Sequence, residues 1–143
     1  MKQEDKELLL KDLCARLPYK LVCEAQFKEY GEYKTSIMFL DGVFNDDAYF
    51  FTKKVGSVYS NDYKPYLFPL SSMTEEQQEE FDRIYADDMQ VVACNLKNKL
   101  DGKPYETNFG HYRHIDWLNA NHFDYRGLIE KGLAIDATGL NIY

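Results

Sequence analysis

The chain has 143 residues, 45% apolar and 29% charged, with 24 acidic against 17 basic side chains and a formal charge of −7. A domain of that length buries roughly 68–70% of the surface its unfolded chain exposes, so one real core is expected and wholesale disorder is excluded. The acidity argues against a general binder of nucleic-acid backbone, leaving only a local basic patch open.

No run approaches the ~18 consecutive apolar residues of a membrane span. The opening Met-Lys-Gln-Glu-Asp-Lys lacks the basic, apolar and small-residue regions of a secretory leader. A soluble cytoplasmic protein is the expectation, with neither nucleic acid nor membrane as its direct partner. The three cysteines, Cys14, Cys23 and Cys94, are odd in number, contain no C-x-x-C pair and each fall on an apolar stripe. Buried free thiols in a reducing compartment follow from that pattern, rather than a disulfide framework or a zinc knuckle.

The first element reads as a helix over about 4–16. Leu9, Leu10, Leu13, Cys14 and Leu17 recur at three- and four-residue spacing, acids precede bases, and Pro18 forbids continuation. A strand over 19–27 follows, with Tyr19, Leu21, Cys23, Ala25 and Phe27 on one face and only Val22 breaking the alternation. Gly31 ends it, and Tyr33 begins a second strand to Leu40. Asp41-Gly42 is a strong short hairpin signal and predicts a type I′ turn into a strand from Val43. Asn45-Asp46-Asp47 interrupts before Ala48–Thr52, and Val55–Tyr59 adds a last short strand. Pro65 and Pro69 predict that 64–70 is an extended apolar connector outside any central strand.

Thr74 and Gln77 have capping-box spacing, and Phe81, Ile84, Tyr85, Met89, Val92, Ala93, Leu96 and Leu100 extend a long helix to a C′ residue at Gly102. A break at Asp87-Asp88 stays open. After a loop over 101–110, Tyr112–Asn121 has helical spacing, and Asp124 is placed to cap a last short helix holding Leu128 and Ile129. Trp117, Leu118, Phe123, Leu128 and Ile129 are expected to form one core face, with Leu140 and Ile142 docking an extended tail. The fold class is therefore α+β: an N-terminal helix, a small antiparallel meander of three to five strands, a long helix and a short helical C-terminal region. These form a single domain, β-rich over 1–70 and α-rich over 71–143.

The segments Lys-Pro-Tyr-Leu-Phe-Pro-Leu-Ser-Ser-Met-Thr-Glu-Glu-Gln (64–77) and Trp-Leu-Asn-Ala-Asn-His-Phe-Asp-Tyr-Arg-Gly-Leu-Ile-Glu-Lys-Gly-Leu-Ala (117–134) carry a resemblance. In them the chain resembles a family of small proteins of gut anaerobes and of their phages and prophages, a family with no established activity. The resemblance implies a mobile-element origin and an accessory or host-interaction role, and it assigns chemistry to no residue.

His111, His114, Asp116 and His122 form the best metal-like pattern, since imidazole and carboxylate suit zinc or another transition metal. A small metal-dependent or His-based hydrolase is the corresponding activity. Against it, residues three apart on a helix are neighbours by default, and no H-E-x-x-H motif is present. Ser71, Ser72 and Cys94 lack the surroundings of a nucleophile, and no glycine-rich phosphate loop occurs, so neither a catalytic residue nor a cofactor is assigned. Glu75, Glu76, Glu79, Glu80, Asp82, Asp87 and Asp88 have the charge of a nucleic-acid mimic but also that of an ordinary solvated helix face. Tyr49, Phe51, Tyr59, Tyr63 and Tyr66 belong to the β half, and aromatics there either cover a sheet or meet a protein partner or a second copy. A non-enzymatic interaction protein is the leading reading.

Overall fold

The computed structural model describes residues 1–44, 47–52, 56–102 and 112–143, and among them are seven strands and three α-helices. Two compact units form, residues 1–70 with 122–143, and residues 71–121.

In the first unit, α1 (Gln3–Arg16) turns Leu9 and Leu13 into the core, and Pro18 then confines Leu17–Tyr19 to a single 3-10 turn. Strand β1 (Val22–Glu29) places Cys23, Ala25 and Phe27 on the same core, as its alternation predicts. Tyr30 and Gly31 both have positive φ, 51° and 88°, so the type I′ requirement is met there, between β1 and β2 (Glu32–Phe44). The expected turn at Asp41-Gly42 is instead an irregularity inside β2. The strand pairs with β1 up to Phe39 and then with β3 (Asp47–Thr52), its register shifting between Leu40 and Gly42. An extra residue in one strand bends it, and Gly42 needs no positive φ to do so.

Strand β4 (Gly56–Ser60) pairs with β3, and Asn61 alone separates it from β5 (Asp62–Pro69), which returns to β1. The buried Ser60 hydroxyl donates to the Gln26 carbonyl at 2.5 Å, fastening the end of β4 to β1. The sheet order is β4-β3-β2-β1-β5-β6, with β7 also on β5. Seven strands exceed the three to five expected, because β6 (Phe123–Asp124) and β7 (Ile135–Asp136) are two residues each, too short to show a period.

The proline-bearing segment is an interior strand, not a connector. Pro65 occupies the last pair of the β1–β5 ladder, opposite Cys23, and Pro69 ends the strand, so the missing N–H groups fall at ladder ends. The last helix expected after Asp124 does not form. Gly127 and Gly132 take φ of 71° and 70°, and the Asp124 carboxylate instead accepts the N–H groups of Leu128 at 2.9 Å and Ile129 at 2.8 Å across a turn.

The main core joins Leu9, Leu13 and the inner sheet face to Leu67, Leu128 and Leu133, and a smaller cluster holds Val22, Tyr66 and Ala137 with Ile142. Asp12 and Arg16 are wholly buried beside them. Arg16 Nε donates to Asp12 at 2.7 Å, and its Nη2 donates both to Asp12 at 3.1 Å and to the Phe123 carbonyl at 2.6 Å. Arg126 Nε reaches the same carboxylate at 3.1 Å.

In the second unit α2 (Glu75–Leu100) begins with the complete Thr74–Gln77 capping box and runs without a break through Asp87-Asp88. Gly102, φ 69°, follows its end. Phe81 stacks with Tyr85 and meets Trp117 of α3 (Arg113–Ala120) at 5.8 Å between centroids. Trp117 and Leu118 thus belong to a different unit from Phe123 and Leu128. Among the described residues no helix is long and apolar enough to cross a membrane.

Removing Asp12 leaves two guanidinium groups without their shared anion, one of them fully buried. Asp12→Ala is expected to cost about 3–5 kcal/mol in urea unfolding, and clearly more than Arg126→Ala, whose side chain keeps some solvent. A loss below about 1 kcal/mol for Asp12→Ala would contradict this arrangement.

Candidate functional site

Alternation along the strands makes two unlike surfaces from one sheet. The inner set, including Ala25, Met38, Leu40 and Phe50, is consumed by the core. The outer set carries Tyr33, Ile37 and Phe39 on β2, Tyr49 and Phe51 on β3, and Tyr59 on β4, all between 36% and 71% exposed. Register brings them side by side: Phe39 lies opposite Phe51, Tyr49 opposite Tyr59, and Tyr33 opposite Lys28. A cleft of about 510 Å³ opens among Lys28, Tyr33, Tyr49, Ser57, Tyr59 and Asn61. The Tyr49 and Tyr59 rings are 6.4 Å apart and tilted by 46°, and the Lys28 ammonium lies 5.8 Å from the Tyr33 ring centre.

Of the five aromatics singled out in the sequence, Tyr49, Phe51 and Tyr59 share this face. Tyr63 and Tyr66 are not part of its open surface, each being 5% exposed. Tyr63 pairs with Ala25 on the inner side and packs on Phe50 at 5.7 Å, while Tyr66 lies in the smaller core cluster. Strand β5 turns Tyr63 inward, whereas Tyr66, three residues on, lies on the outer side beside Val22 and is covered there by Ala137 and Ile142 of the tail. Tyr33, Ile37, Phe39 and Lys28 were not singled out, although the odd-numbered alternation against Met38 and Leu40 places the first three together.

The metal-like set is distributed differently. His111 lies outside the described residues. His114 and Asp116 are on α3, and His122 belongs to the other unit. His114 Nδ1 is 2.6 Å from Asp88, whose carboxylate also accepts the His114 backbone N–H at 2.8 Å and Arg113 Nε at 3.2 Å. Burial pushes the Asp88 carboxyl upward, but these hydrogen bonds outweigh it and hold the group below its ordinary value. Asp88 therefore caps α3 from α2 and leaves the acidic face, where Glu75, Glu76, Glu79, Glu80, Asp82 and Asp87 are exposed. The His114 ring makes T-shaped contacts with Tyr85 and Phe81, ring centres 5.1 and 6.2 Å apart, and Asp116 is exposed. Among the described residues no group of three or more His, Cys, Asp or Glu is arranged to hold a metal ion.

The thiols are not uniformly buried. Cys14 and Cys94 are exposed, and only Cys23 is enclosed, where burial and the nearby Asp12 carboxylate push its ionisation upward and make a thiolate nucleophile unfavourable. His122 takes a left-handed backbone, φ 60°, and stacks on Tyr143 at 3.7 Å, the Tyr143 hydroxyl donating to the Tyr66 carbonyl at 2.7 Å. Burial and the Arg16 cation push His122 down to about 4.

The chain matches no protein family profile, no curated protein and no solved structure.

A histidine held from its ordinary 6.5 down to about 4 is neutral in the folded protein while the unfolded chain binds the proton. Its contribution to stability is therefore complete above about pH 6.5 and is lost as pH falls towards 4. His122→Asn suits the left-handed backbone and is expected to flatten that part of the melting-temperature profile. Parallel profiles for parent and variant over this range would contradict the assignment.

Proposed function

We propose that this protein is a non-enzymatic binding module of the cell interior that takes a protein partner on the outer aromatic face of its β-sheet. The carrying observation is the set of six large side chains, Tyr33, Ile37, Phe39, Tyr49, Phe51 and Tyr59, exposed on adjoining strands. Scattered exposed apolar residues need no explanation, but contiguous ones on a rigid sheet mark a surface that another molecule covers. Tyrosine and phenylalanine have few rotamers to lose, so ordering them at an interface costs little. The charge of −7 turns the module away from nucleic-acid backbone, and the resemblance to proteins of gut anaerobes and their phages fits an accessory role. A hydrolase built on the histidines has less support, since Asp88 and aromatic rings surround His114.

The test compares the parent with a Phe39→Lys/Phe51→Lys double variant, immobilised and exposed to extract of the source cells, with sedimentation of each alone. A defined protein retained by the parent should be lost by about thirtyfold or more on the double variant, the scale of an interface hot spot. Sedimentation reports whether the partner is a second copy. Equal retention by both proteins, or a strict monomer that retains nothing, would overturn the proposal.

A further inference from the structure

Helix α2 is 26 residues long, yet among its described side chains only the carboxylate-bearing Asp88 is buried. Helices in proteins are ordinarily held by the packing of one apolar face. The described contacts with α3 fall on Phe81, Tyr85, Asp87 and Asp88, all before Met89. Beyond them an apolar stripe remains open, Tyr85, Val92, Leu96 and Leu100 being 45%, 42%, 60% and 81% exposed.

The stripe is symmetric along its length. Phe81, Tyr85, Met89, Val92, Leu96 and Leu100 follow one another at spacings of 4, 4, 3, 4 and 4, which keep them on one helix face and read the same from either end. Two such helices laid antiparallel about a point between Gln90 and Val91 therefore match apolar with apolar. Phe81 meets the partner's Leu100, Tyr85 meets the partner's Leu96, and Met89 meets the partner's Val92. From this we infer that α2 pairs antiparallel with α2 of a second copy of this chain.

Charge selects the same direction. Within the helix, the half before Met89 has seven carboxylates and one base, Arg83, whereas the half from Met89 has Lys97 and Lys99 and no acid. A parallel pair would set the acidic halves side by side. The antiparallel pair sets each against a basic half and brings Lys97 and Lys99 within a turn of the partner's Asp82. The seam from Phe81 to Leu100 is roughly 28 Å long at the rise of an α-helix. A contact of one helix on one helix is small for an interface, so the pair is a reversible one. It uses a different unit of the chain from the sheet face proposed above as the partner surface.

Analytical ultracentrifugation of the whole protein from about 1 μM to about 1 mM should show a monomer–dimer equilibrium. Val92→Glu/Leu96→Glu, at two exposed positions, should weaken the dimer by about thirtyfold or more. Orientation is read by oxidative cross-linking in a Cys14→Ser/Cys94→Ser background, which removes the two exposed thiols. A mixture of Tyr85→Cys and Leu96→Cys chains should cross-link to each other, and neither should cross-link well alone. A monomer throughout the range, a dimer indifferent to the two glutamates, or Leu96→Cys cross-linking as well alone as in the mixture would overturn the inference. The Phe39→Lys/Phe51→Lys variant keeps the two surfaces apart, since it should dimerise as the parent does while losing its retained partner. Dimerisation lost in that variant would overturn the α2 pairing and leave the sheet face standing, whereas dimerisation kept together with undiminished retention would reject the sheet face alone.

Discussion

A guanidinium group with no contact to solvent must be met by an anion and by carbonyl oxygens, because an isolated buried charge costs several kcal/mol or more. Arg16 is met by both, through the Asp12 carboxylate within its own helix and the Phe123 carbonyl 107 positions away. The bond to Phe123 ties α1 to the returning segment 122–126 and so sets where β6 lies along β5. Arg126 meets the same carboxylate and also donates to the Tyr125 hydroxyl, its guanidinium lying 4.7 Å from the Tyr125 ring centre. An apolar helix would add burial to this core but no direction. The fork of hydrogen bonds supplies one, since it accepts a single placement of its partners.

That direction has a consequence for the opposite side of the sheet. With α1 and residues 128–134 packed on the inner face, the core of the first unit is filled by one set of alternating side chains. The returning tail covers only one end of the outer face, where Val22, Tyr66 and Ala137 cluster. The remainder, from Ile37 and Phe39 across to Tyr59, stays exposed on strands that the core holds rigid. A rigid aromatic surface is suited to binding without rearrangement, and the bend of β2 at Leu40–Gly42 belongs to the same surface. Cleft and face are thus two parts of one region.

Strong local signals were legible in the sequence. The Thr74–Gln77 box, the stop at Pro18 and the alternation of Cys23, Ala25 and Phe27 all act within a few residues, although the strand begins at Val22 rather than Tyr19, which lies in the 3-10 turn after Pro18. What failed depends on partners distant in sequence. Asp41-Gly42 satisfies a turn or a bulge equally well, and only the pairing of β2 with two neighbours chooses the bulge. Pro65 and Pro69 look incompatible with an interior strand until the ladder is seen to end at them. Asp12 and Arg16, four apart on a helix, have the spacing of an ordinary surface ion pair, and nothing local says that they are buried. Composition does not separate Tyr63 and Tyr66 from Tyr49 and Tyr59, since strand register turns Tyr63 in and the sequence-distant tail covers Tyr66.

One aromatic face of the sheet lies open while chemically similar residues on its inner face are enclosed. Hydroxyl-radical footprinting of the isolated protein, resolved to single residues by mass spectrometry, measures this directly. Tyr33, Phe39, Phe51 and Tyr59 should be modified rapidly and Tyr63 and Phe50 slowly, following their exposures of 71%, 55%, 47% and 66% against 5% and 0%. Modification of Tyr63 as fast as Tyr59, or protection of Phe39 and Phe51 in a protein shown to be monomeric, would contradict it.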